Sequence, residues 1–187
     1  MDMKIFTARH GQTDWNLQCR IQGRSDIPLN ETGKKQAEEL KKNIAELEFD
    51  VCYASPLIRA AETAKIAVDE KCEIVYDERL MERRFGDFEG KVAKDCKWSN
   101  IIKGDLYDRR TNISEGGMET VKELLARSRG FLDWLKTKYP DDAKILIVAH
   151  GALLKTLHYN IVGYDDDTDF YDFFLENGEV VEYNIKK

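Results

Sequence analysis

Apolar residues fall into short continuous runs separated by longer amphipathic stretches, the pattern of buried strands alternating with helices. Residues 3–6, 49–54 and 72–76 each read as a short strand, and 144–149 (Lys-Ile-Leu-Ile-Val-Ala) is the clearest buried parallel strand. Between them Leu40, Ile44 and Leu47 recur at helical spacing, predicting a helix over 34–47 with Asn30 as its N-cap. Ser55-Pro56 is expected to cap and start a further helix carrying Arg59 in its first turn. Val121, Leu124, Leu125, Phe131, Leu132 and Leu135 mark an amphipathic helix over 118–138, stopped by Pro140, and 152–161 is an apolar helix. Two last runs, 170–175 and 179–185, flank Asn177-Gly178 and predict a β-hairpin.

Strands alternating with helices imply an α/β fold: a three-layer α/β/α sandwich around a mainly parallel central sheet. A single domain over 1–187 is expected, with the charged, glycine-punctuated and weakly periodic stretch 83–117 as a lid or substrate-selecting insertion.

Composition narrows the function classes. With 42% hydrophobic residues and three prolines the chain can bury a core. A net charge of -6 argues against nucleic acid as partner, though a local cluster of arginines can still hold an anion. No apolar run approaches the roughly 20 residues that span a bilayer, so no membrane partner is expected. The start, Met-Asp-Met-Lys, runs straight into a strand without a leader. Cys19, Cys52, Cys72 and Cys96 form no CxxC pair and read as free thiols, which places the chain in the cytoplasm. Nothing in the pattern sets an oligomeric state.

Three segments carry one chemical logic. One strand ends in Arg9-His10-Gly11, a second leads through a turn to Arg59, and a third ends in His150-Gly151. In a parallel sheet such ends lie along one edge and meet around one ligand. Two arginines and two histidines suit a phosphoryl group, whose transition state spreads charge over its equatorial oxygens. A neutral His10 can attack phosphorus, and Glu82 can protonate the leaving oxygen and then activate water.

These residues resemble the histidine phosphatase superfamily, also called phosphoglycerate mutase-like. Its Arg-His-Gly-x-Thr-x-x-Asn motif stands unbroken at 9–16, and Ser-Pro-x-x-Arg-x-x-x-Thr-Ala stands at 55–64. Leu-x-Glu-x-x-Phe-Gly-x-x-Glu-Gly stands at 80–90, and the late His-Gly at 150–151. The resemblance implies His10 as nucleophile, Glu82 as proton donor, and Arg9, Arg59 and His150 as holders of the phosphoryl group. It adds Asn16, Thr13, Gln22 and Gly23 as further contacts and implies no metal and no organic cofactor. A metal triad of His10, His150 and His158 is disfavoured because the adjacent arginines repel a cation, and His158, mid-helix, reads as packing.

The family runs hydrolysis and mutase transfer on one core. Glu82-Arg83-Arg84-Phe85-Gly86 resembles the mutase pattern in which the Arg meets a substrate carboxylate, so Arg83, with Arg84, Arg109 and Arg110, is expected to bind substrate. The short chain and Ala152 after His150-Gly151 favour hydrolysis of a small phosphomonoester. The alternatives are mutase-type transfer, or a phosphate-sensing protein without catalysis; a pure binder would need neither His10 nor Glu82.

Overall fold

The computed structural model describes residues 2–93, 114–170 and 172–186. Five strands form one sheet: β1 Met3–Arg9, β2 Val51–Ala54, β3 Ile74–Tyr76, β4 Lys144–Ala149 and β5 Val180–Ile185, in spatial order β3-β2-β4-β1-β5. The first four run parallel and β5 lies antiparallel along the outer edge of β1. Helices α1 Asp14–Leu17, α2 Glu31–Asn43, α3 Ile58–Val68, α4 Val121–Lys138 and α5 Gly151–Val162 connect them.

Strand alternation sorts the core into two layers. Phe6, Ala8, Cys52, Ala54, Leu146 and Val148 meet Leu40 of α2 and Ala60, Ala64 and Val68 of α3. Ile5, Tyr53, Ile145, Ile147 and Ala149 meet Leu124, Phe131, Leu132 and Leu135 of α4 and Leu153, Leu154 and Leu157 of α5. The result is the α/β/α sandwich read from the sequence. Each buried large aliphatic side chain contributes about 1.5–3 kcal/mol, enough in sum to offset the several kcal/mol that burying charged groups at the strand ends costs.

Helix starts follow local chemistry. Asn30 caps α2 by accepting from the Gly33 amide at 2.9 Å, as predicted. Thr120 and Glu123 form a reciprocal capping box on α4, with Lys136 and Lys138 favourably placed in its last turn. The start of α3 differs from the expectation. Leu57 is its N-cap residue, the Ile58 amide donates to Asp26 at 2.6 Å, and Ser55 stays behind at the strand end.

The predicted hairpin is also corrected, since 170–175 shows no strand among the described residues. Its aromatics pack on α5 instead: Phe170 stacks on Tyr159 at 4.1 Å and Phe173 on His158 at 3.7 Å. The Asn177-Gly178 turn docks on the end of β1, where the Gly178 amide donates to the Arg9 carbonyl and Asn177 Nδ2 to the His10 carbonyl. A local turn signal survives, but tertiary contacts choose its partner.

Register brings the three strand ends level. Arg9 pairs with Ala149 and Ala54 with Val148, so the residues that follow, His10, His150 and Ser55, emerge side by side.

Candidate active site

His10 is buried, and its two ring nitrogens are distinguished by their partners. Nδ1 lies 2.7 Å from the Gly11 carbonyl and so carries the proton, while Nε2 accepts from Arg59 Nε at 3.3 Å. Burial, then the Arg59 and Arg9 charges, hold the imidazole well below the ordinary histidine range, outweighing the Gly11 bond. The ring therefore presents an unprotonated Nε2 at neutral pH.

Gly11 is required by packing. A Cβ there would collide with the Gly33 carbonyl, so only glycine lets this loop lie against the start of α2. The Gly11 amide donates to Thr63 Oγ1 at 3.0 Å, and that hydroxyl donates to the Arg59 carbonyl, tying the His10 loop to α3.

Arg59 is fully buried and held at three points. Nη1 donates to the Ser25 carbonyl (2.8 Å), Nη2 to the Gly23 carbonyl (2.7 Å), and Nε to His10. Burial pulls its pKa down to about 10, so it remains charged at neutral pH. Arg9 Nη1 donates to the Leu175 carbonyl at 2.7 Å, and its guanidinium lies 4.9 Å from the exposed Phe174 ring.

His150 sits 5.1 Å from His10, centroid to centroid. Its Nε2 is 2.7 Å from Ser55 Oγ, and its buried Nδ1 has no hydrogen-bond partner among the described residues. Such an atom costs about 1–3 kcal/mol unless a ligand engages it. Burial first, then Arg59, His10, Arg9 and Arg127, keep this ring neutral as well.

Glu82 closes the opposite wall. Its carboxylate accepts from the Ala152 and Leu153 amides at the start of α5 (3.2 and 3.1 Å) and from the Arg83 amide (2.8 Å). Its backbone is fixed from behind by Arg127, which forks onto Glu119 and donates to the Arg79 and Met81 carbonyls.

A cavity of about 350 Å³ opens over these groups. Arg9, His10, Asn16, Gln22, Gly23, Arg59 and Glu82 line it, together with apolar Ile21, Phe85, Phe88, Met118, Ala152 and Phe174. Thr13 is brought to the site but not into it. Its hydroxyl is shared among the Asn16 amide, Asn16 Oδ1 and Gln22 Oε1, so it sets those two residues in place.

Arg83 does not line the cavity. It is buried, donates Nε to the Glu119 carbonyl at 2.7 Å, and stacks over Phe85. Arg84 donates to the Gly117 carbonyl at the surface. Arg109 and Arg110 lie outside the described residues. His158 pairs with the Tyr183 hydroxyl and stacks on Phe173, as packing.

Four contributors were missed by sequence reasoning: Ser55, Asn177, Lys155 and Glu89. Glu89 accepts from the Arg24, Ser25 and Phe85 amides and the Ser25 hydroxyl, between 2.9 and 3.1 Å. It thereby shapes the 23–25 loop whose carbonyls hold Arg59. Its trace in the sequence was the Glu-Gly pair that closes the motif at 80–90, to which no role was attached. Glu89→Gln sets an NH₂ group against amide donors, so kcat should fall about ten- to a hundredfold through a loosened Arg59. Steady-state rates beside a melting curve check this; an unchanged kcat would show that Glu89 does not hold the loop.

The family model "Histidine phosphatase superfamily (branch 1)" matches residues 5–187. "Uncharacterized phosphatase PhoE" of Bacillus subtilis is 35% identical, covering 97% of this chain and 94% of that protein. "Phosphoglycerate mutase-like protein 4" of Arabidopsis thaliana is 32% identical over 83% of this chain and 69% of that protein. Among solved structures, Bacillus stearothermophilus YhfR superposes with a TM-score of 0.84 at 28% identity, covering 96% of this chain and 90% of that one.

Proposed function

The chain belongs to the histidine phosphatase superfamily and is an enzyme of that phosphoglycerate mutase-like family, and from this premise we propose that it hydrolyses a small phosphomonoester through a phosphohistidine on His10. The observation that carries the reading is the unprotonated His10 Nε2 beside the fixed Arg59 guanidinium. Nε2 attacks phosphorus in line, the bond to the ester oxygen breaks, and Glu82 gives its proton to the departing alcohol. Water then attacks the phosphohistidine, Glu82 takes its proton, and inorganic phosphate leaves with His10 restored. Arg9, Arg59 and the His150 Nδ1 position hold the equatorial oxygens, and Asn16, Gln22 and Gly23 border the same space.

The positive charge of Arg9 and Arg59 already supplies what a cation would, and a bound metal ion would be repelled there. The 83–117 stretch acts as the substrate-selecting part of a single domain: Phe85 and Phe88 stand in the cavity wall. No helix among the described residues is long and apolar enough to cross a membrane. Free thiols at Cys19, Cys52 and Cys72 suit a reducing compartment, and we place the enzyme in the cytoplasm.

Rapid-quench mixing with a labelled aryl phosphate should trap an acid-labile, alkali-stable phosphoenzyme at up to one per chain, followed by steady turnover. Turnover without label, or label away from His10, sinks the mechanism; label without release of phosphate would make the protein a binder. The mutase-like relative supports transfer as a second reading. Faster consumption of phosphoglycerate with bisphosphoglycerate present, without net phosphate release, would favour it.

A further inference from the structure

Ser55 joins the two sides of the phosphoryl cradle. Its amide donates to the Val148 carbonyl at 3.0 Å, which fixes it to the end of β4 just before His150. Its hydroxyl is fully buried and has two hydrogen-bond partners among the described residues: it accepts from the Leu57 amide at 3.3 Å and lies 2.7 Å from His150 Nε2. Leu57 is the N-cap residue of α3, two residues before Arg59, so one turn serves both the arginine and the histidine.

A count of donors and acceptors decides which way the proton points. The Leu57 amide can only donate, so it occupies a lone pair of the Ser55 oxygen. If His150 Nε2 also carried a hydrogen, the hydroxyl would accept twice, and its own hydrogen would have no acceptor among the described residues. The other arrangement satisfies both groups: Ser55 donates to a bare Nε2, and the ring hydrogen sits on Nδ1. Burial first, then the Arg59 charge, hold the ring well below the ordinary histidine range, so at neutral pH it has one hydrogen to place. The unpartnered Nδ1 is then a donor, which is what a phosphoryl oxygen requires.

We propose that Ser55 is a positioning residue for phosphoryl transfer: its hydroxyl holds His150 as the Nδ1–H tautomer, so that this ring donates to an equatorial phosphoryl oxygen. This rests on the phosphomonoesterase reading above for its effect on rate, but not for the tautomer itself. An imidazole free in water prefers its hydrogen on Nε2, and that form would meet the phosphoryl oxygen with a lone pair. Ser55 excludes it before substrate arrives, so the donor is preorganised. His10 is held in the same tautomer by a different device, the Gly11 carbonyl on Nδ1. The two rings then play opposite parts: His10 presents its bare nitrogen to phosphorus, and His150 its N–H to oxygen.

The test is Ser55→Ala, which removes the hydroxyl and nearly conserves volume, read by nitrogen NMR of the imidazoles and by turnover of an aryl phosphate. The chain has three histidines, so each ring is assigned by removing it in turn. In the unmodified protein His150 should show a protonated Nδ1 and a bare Nε2, and its Nδ1 hydrogen should move downfield when inorganic phosphate is added. In Ser55→Ala that hydrogen should pass mainly to Nε2 while the His10 pattern stays as it was. The kcat should fall about ten- to a hundredfold, less than outright deletion of an oxyanion donor, because bound phosphate partly restores the right form. Ser55→Thr keeps the donor and should keep the Nδ1–H form. An Nε2–H form in the unmodified protein, or an Nδ1–H form that persists undiminished in Ser55→Ala, overturns the assignment. A tautomer that changes without loss of kcat overturns its bearing on the reaction. The spectra need no turnover, so if the unmodified protein hydrolyses no phosphoester, the phosphomonoesterase reading fails while the tautomer is still decided.

Discussion

Alanine at His10 should give a folded protein whose turnover falls by about 10⁴-fold or more, the scale seen when a covalent nucleophile is deleted. The side chain is small and sits at a strand end, and the backbone bonds that fix the residue, its amide to the Ala149 carbonyl and its carbonyl to Asn177, do not depend on the imidazole. Its loss leaves Arg9 and Arg59 to bind phosphate, so affinity for inorganic phosphate should change far less than kcat. Titration adds a sharper form of the same expectation. Burial and two guanidinium groups keep His10 below the ordinary histidine pKa, so the nucleophile is still unprotonated below pH 6.5. The acid limb of kcat/KM, which reports the free enzyme, should therefore lie on the acid side of pH 6.5 after correction for substrate ionisation. A residual rate above about 1% in His10→Ala would sink the nucleophile assignment.

The parts of this site that were legible in sequence stand on regular structure. The buried runs ending in Arg9-His10 and His150 fix their own strands, and parallel pairing then places the ends together. Arg59 was legible for the same reason, two residues into a helix that follows β2. What escaped lies in irregular segments, where no period tells which way a side chain turns. Arg83 and Arg84 are neighbours, yet one goes inward to Glu119 and the other outward to Gly117. The Asn177-Gly178 turn was visible as a turn, but its attachment to the His10 carbonyl depends on β5 taking the edge of β1. Lys155 was hidden for a different reason. Mid-helix lysines are ordinarily solvated, and only the position of the cavity against α5 makes this one an inner residue. Thr13 shows the limit of carrying a motif over position by position: it belongs to the motif, but its hydroxyl builds the loop and does not reach the cavity.

Arg59→Ala should lower kcat about 10²–10³-fold, the cost of deleting one preorganised donor to a developing negative charge. Arg59→Lys should recover only a small part of this. An ammonium restores the charge, but it cannot span the Gly23 carbonyl, the Ser25 carbonyl and His10 Nε2 together, as the planar fork does. Stability will also fall, because two loop carbonyls lose their donors at about 1–3 kcal/mol each, so a rate loss alone would not separate catalysis from loosening. The imidazole of His10 makes that separation. Arg59 is the largest charge holding its pKa down, second only to burial. Removing a positive neighbour favours the protonated ring, so His10 must titrate at higher pH in Arg59→Ala, and the acid limb of kcat/KM must move toward neutrality with it. Arg59→Lys should leave His10 close to its original titration while kcat stays low. Imidazole titration by NMR reads this directly. If His10 titrates alike in all three proteins, Arg59 holds the loop without electrostatic contact with the nucleophile, and its place in the phosphoryl cradle must be given up.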